Sequence, residues 1–132
     1  MEKEKIKLHE FPLGIYPRRI WIANRCSAKE LAATFNSRNG DELDFNEEEG
    51  NESVALVFPM VALKENGNYG ILIWLKSKLS TGHIAHEAGH VATEIFMEIG
   101  RYLDPKNQEP FMYLLGYIAD CIDKVQKNKF DD

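Results

Sequence analysis

The chain has 132 residues, 44% apolar and 28% charged, which is ordinary globular composition with enough apolar material for a core; it excludes a fibrous repeat and a wholly disordered chain. A net charge of −5, with Arg18 and Arg19 the one adjacent basic pair, argues against a nucleic-acid-binding surface, which needs clustered cations to displace counterions. Cys26 and Cys121 lack ribbon or disulfide spacing, the start of the chain lacks the apolar run of a signal peptide, and no apolar stretch is long enough to cross a membrane, so one cytoplasmic domain over residues 1–132 is expected.

In chain order, "GIYPRRIWIA" (14–23) predicts a first strand, with Pro17 at its edge or start. "CSAKELAATFNSR" predicts a helix: Ser27 and Glu30 have the spacing of a reciprocal capping box, and Leu31 and Phe35 form an apolar pair one turn apart. Residues 39–53 are acidic and glycine-rich without apolar period, which predicts a mobile, solvated loop. Residues 53–76 read as a hairpin turning at "KENGN", where Asn66 and Gly67 can take positive φ, and Pro59 marks a bulge or exposed edge because proline cannot donate to a ladder. A helix over 79–100, capped by Ser80 or Thr81 and stopped by Gly100, precedes a last helix from about Asn107 to Lys127 with Pro110 in its first turn. This order predicts an α+β fold with the sheet on one side.

The first of these two long helices carries "IAHEAGHVATEIF" (84–96). At 100° per residue, Ile84, Ala88, Val91, Ala92, Ile95, Phe96 and Ile99 gather on one side, while His86, His90, Thr93 and Met97 fall on the other. A histidine satisfied in a core would lie within the apolar stripe, so the bland alternative is a pair of solvated histidines. Histidines at i and i+4 stand one turn apart, and both rings can reach one ion at about 2.0 to 2.1 Å. Glu87, on the flank, is placed to take a proton from a water at that ion and not to ligate it. His83 and Glu94 lie near the same face, but three ligands along one straight helix converge poorly on a tetrahedral ion. His9 falls in the charged N-terminal stretch, away from both helices, and is not assigned to the site.

On the last helix, Phe111, Leu114, Leu115, Ile118, Ile122 and Val125 form the apolar stripe, and Glu109, Tyr113, Gly116 and Asp120 share the opposite face. Polar faces on both helices are expected to meet at one site, with Gly89 and Gly116 allowing close backbone approach. Helical rise brings a tight hairpin back to the histidine level near Gly116 or Asp120, which makes Asp120 a candidate third ligand; an extended connection over 101–108 would instead deliver Glu109.

"HEAGH" on a helix after a hairpin resembles the zincin metallopeptidases. With "NQEPFMYLLGYIADCI" downstream it resembles their gluzincin branch, and it is similar to short HExxH proteins of phages and prophages. The resemblance covers about the last fifty residues. It implies a zincin-like α+β fold, a small mainly antiparallel sheet packed on the HExxH helix and a C-terminal helix. It implies Zn2+ held by His86, His90 and Glu109, and hydrolysis of a peptide or protein substrate with Glu87 as base. Gluzincins often carry an aspartate four positions after the third ligand; Tyr113 stands there, as an oxyanion donor or an ordinary packing aromatic, and Asp120 is either a carboxylate that orients a histidine in its place or a solvent-facing one. The far wall of a cleft is then left to a second copy or a partner protein, and a substrate strand would pair with the hairpin edge. The competing expectation is a phage-type accessory protein whose closed, structural metal site fastens the two helices while another surface binds protein.

Overall fold

The computed structural model describes residues 8–16, 18–43 and 54–127. Pro17 and most of the acidic 39–53 stretch lie outside them. The described elements are β1 (Leu8–Pro12), β2 (Arg19–Asn24), α1 (Ala28–Thr34), β3 (Phe35–Ser37), β4 (Ala55–Leu63), β5 (Tyr69–Leu75), α2 (Thr81–Glu98) and α3 (Glu109–Lys127). The strands form one mixed sheet in the order β1-β2-β5-β4-β3. β2 and β5 run parallel in its centre and the other three pairings are antiparallel, so the sheet is α+β and mainly antiparallel as expected.

The central strands read as continuous apolar runs because both of their faces are covered. Ile20, Ile22, Ile71, Ile73 and Leu75 point to one face and pack under α2 and α3, in a core that includes Ala88, Val91, Ile95, Ile118 and Ile122. Trp21, Ala23, Leu72 and Trp74 point to the other face, where Leu31 of α1 and Phe35 of β3 bury them. The expectation of helices on one side is therefore corrected: the short α1 closes the second face. Its capping box forms as the spacing predicts, with the Ser27 hydroxyl accepting from the Glu30 N–H and the Glu30 carboxylate from the Ser27 N–H.

Two boundaries and one turn residue differ from expectation, each for an identifiable reason. The first long strand starts at Arg19 and not at Gly14, while residues 8–12 form a separate edge strand whose mixture of charge and apolar residues hid its alternation. The helix after Cys26 ends at Thr34, since Phe35 satisfies the core better from an extended backbone pairing with Leu63. In the hairpin turn Gly67 has φ +74, while Asn66 stays at negative φ and its side-chain oxygen accepts from the Asn68 N–H. Pro59 sits where the β4–β5 register shifts between Phe58 and Val61, the bulge that a residue without an N–H calls for.

Ser80 caps α2 and Gly100, at φ +73, follows its end. The two long helices pack antiparallel through apolar faces: Phe96 meets Phe111 edge-on at 5.1 Å between ring centroids, and Gln126 exchanges two hydrogen bonds with the backbone of Leu79. Gly89 and Gly116 have open space where a Cβ would stand, so the close approach expected there is absent. The crowded glycine is Gly70, whose added Cβ would fall 2.4 Å from the Trp21 ring and 2.6 Å from the Arg19 carbonyl oxygen. No described helix is long and apolar enough to cross a membrane.

Candidate functional site

α2 lies on the sheet with its apolar stripe down, which leaves His86 and His90 exposed along its flank. The spacing brings the rings together: their Nε2 atoms stand 3.1 Å apart, with the ring planes at 83°. Two ligands at 2.0 to 2.1 Å from one tetrahedral ion are separated by about 3.3 Å. The pair thus fits a shared ion after a shift of a few tenths of an ångström, and in its absence the same geometry serves a hydrogen bond in which one ring donates. Both rings open on a cavity of about 360 Å³ lined by Ala55, Leu56, Val57 and Pro59 of β4 and by His86, Glu87, His90 and Glu94 of α2. Glu87 is half-buried at its wall, and β4 forms the side facing the helix.

The remaining expected site residues are elsewhere. Phe96, which carries the contact to α3, lies about 120° round α2 from His90 and about 9 Å further along its axis. α3 therefore packs on another flank, and Glu109, its first residue, stands at the far end of α2 and does not line the histidine cavity. Glu109, Tyr113, Gly116 and Asp120 do share a face, but it is exposed and turned away from the histidines, so the polar faces of the two helices do not meet. Among the described residues, no three His, Cys, Asp or Glu side chains gather as a metal cluster.

Tyr113, 75% exposed, lines a second, apolar cavity of about 590 Å³ together with Leu13, Tyr16, Pro110, Leu114 and Tyr117. There the Tyr117 hydroxyl donates to the Pro12 carbonyl oxygen at 2.5 Å and ties α3 to β1. Burial pushes the Tyr117 phenol up to about 12, and burial pushes the neighbouring Cys121 thiol up to about 11. His83 is occupied at the helix start, where its Nδ1 accepts from the Ser80 N–H. His9 lies half-buried in β1, with its pKa lowered by that burial.

Glu94 was set aside on spacing, yet it lines the histidine cavity, because β4 closes that flank of α2 and turns an exposed helix face into a concave one. The helical spacing could have found it; the position of β4 could not be read locally. One turn beyond, Glu98 accepts from Arg18 at 2.8 Å and from Arg38 at 3.2 Å, a cluster the charge pattern did not announce. No protein-family model, no curated protein and no solved structure matches the chain.

Proposed function

We propose that this chain is a zinc-dependent peptidase. The observation that carries the reading is the convergence of the His86 and His90 Nε2 atoms to 3.1 Å at the mouth of a cavity that also holds Glu87. His86 and His90 would hold the ion, with Glu109 as third ligand in keeping with the gluzincin resemblance. Bound zinc supplies the Lewis acidity that lets a water ionise near neutral pH. Glu87, half-buried beside the pair, would accept a proton from water in the cavity and return it to the departing amine. The zincin-like fold belongs to the same proposal: it is supported by a sheet strand, β4, lying alongside the HExxH helix, where an extended peptide can be held against the histidines.

Glu109 joins the pair in this reading only if the first turn of α3 moves toward it. Every residue from Gly100 to Pro110 is exposed, so the packing that opposes this movement is that of Phe111 on Phe96 within the same turn. The helix-fastening alternative lacks such support, since the contact between α2 and α3 is apolar and the histidines lie outside it.

The test is elemental analysis and peptide turnover on purified wild type and Glu87→Gln. Stoichiometric zinc in both, with cleavage reduced 100-fold or more in Glu87→Gln, is the expected result for loss of a general base. Wild-type protein free of zinc, or Glu87→Gln with undiminished turnover, overturns the reading. The same metal analysis on Glu109→Ala, Glu94→Ala and Asp120→Ala identifies the third ligand as the substitution that empties the site.

A further inference from the structure

A third cavity, of about 440 Å³, lies where the turns after β3 and β4 come together, and its lining includes Asn36, Ser37, Arg38, Lys64, Gly67 and Tyr69. Both turns are built on Asn-Gly, and Gly40 and Gly67 take φ of +95 and +74. Asn36, Ala62 and Tyr69 are register partners across three strands and so share one face of the sheet. That face is the one α2 covers, since Tyr69 alternates with Gly70 and lies on the side of Ile71.

The chemistry inside is selective. Asn36 lines the cavity, and its Oδ1 is buried without a hydrogen-bond partner among the described residues, an arrangement that stays unfavourable until a donor arrives. Arg38 reaches Glu98 through Nη1 at 3.2 Å, which leaves other N–H donors of its planar fork for a second acceptor. Its guanidinium is held 5.0 Å from the Tyr69 ring centroid, with that of Arg18 at 5.7 Å from the same ring. Among the described residues the Lys64 ammonium pairs with the well-exposed Glu42 carboxylate, at 3.3 Å, a surface pair that an incoming anion can replace at little cost. The lining thus offers two cations to an acceptor, and a small turn of the Asn36 side chain would bring its unsatisfied oxygen to a donor.

We propose that this cavity binds the carboxyl terminus of a peptide: the carboxylate on Arg38 and Lys64, the last amide N–H on the Asn36 Oδ1. A peptide C-terminus carries both groups at adjacent positions, whereas acetate or inorganic phosphate offers the anion without an amide donor. Arg38 of the cavity reaches α2 at Glu98, about 12 Å along the helix from His90, a distance that three to four extended residues cover. The binding claim rests on these side chains alone; where the zinc reading also holds, the substrates favoured are those with a free carboxylate three or four residues beyond the cleaved bond.

The test is fluorescence anisotropy with the full chain and N-terminally labelled tetra-alanine, as free acid and as C-terminal amide, with acetate and inorganic phosphate as competitors. The free acid is expected to bind at least 10-fold tighter than the amide, Arg38→Gln to bring the acid down toward the amide, and Asn36→Ala to weaken both peptides. Equal binding of acid and amide, or binding of neither, overturns the proposal. Displacement of the peptide by phosphate or acetate at equal concentration also overturns it, because the pocket then reads an anion only. Should Arg38→Gln not fold, the wild-type comparison and Asn36→Ala still decide. The acid preference persists in His86→Ala, so failure of the zinc reading and failure of this site are separately visible.

Discussion

A thiol buried against apolar neighbours resists ionisation, because the thiolate would lose its hydration without a cation to replace it. Cys121 is buried on α3, and the upward shift of its pKa to about 11 follows. In folded protein at pH 8 its reaction with a disulfide reagent should be at least 10-fold slower than in urea, as read by thiol titration; equal rates would contradict the burial. The same shift has a pH consequence. Above the thiol's ordinary value of 9.0 the unfolded chain releases this proton while the folded chain keeps it, so stability falls as pH rises from about 9 through about 11. Denaturant midpoints across that window should decline in wild type, and less steeply in Cys121→Ser. At this scale His86, Glu87 and His90 were legible from spacing alone, because one helical turn fixes their relation. The partners brought to them by β4 were not.

Among elements, the two glycine classes separate cleanly. Gly70 lies between two strands with Trp21 folded over it, so Gly70→Ala forces a methyl into the indole and should destabilise by about 1 to 3 kcal/mol, the usual cost of overpacking. Gly116 sits inside α3 over open space, so Gly116→Ala should stabilise by up to about 1 kcal/mol through helix propensity. Thermal or urea unfolding of the two variants checks both signs at once. The α2 start is a third case: removing the Ser80 hydroxyl, which accepts from the His83 N–H, should cost about 1 kcal/mol in Ser80→Ala. The Ser27–Glu30 capping box and the Asn-Gly turn were readable because they depend on residues within four positions of each other. The strand at residues 8–12 escaped because its pattern acquires meaning only once β2 lies beside it.

For the molecule as a whole, stability rests on two apolar clusters on opposite faces of the sheet, and the histidine pair belongs to neither. Chelation should therefore leave the far-ultraviolet circular dichroism spectrum and the cooperative melt in place, while abolishing any peptide cleavage. A chain that unfolds on chelation would instead make the ion part of the fold, as in small zinc domains. Phe96→Ala addresses the opposite flank. It should cost about 3 to 5 kcal/mol, since the ring fills the contact between α2 and α3.

From sequence alone came the helical face with His86 and His90, the irregularity at Pro59, the Ser27 cap and the α+β class, all of them consequences of local periodicity and short-range hydrogen bonding. Tertiary structure alone decided which faces meet. α1 covers the second side of the sheet, β4 walls the histidines, and α3 turns Glu109 and Asp120 away from them. Those outcomes depend on pairing between residues far apart in the chain, where the burial of whole apolar faces outweighs any preference written into a single segment.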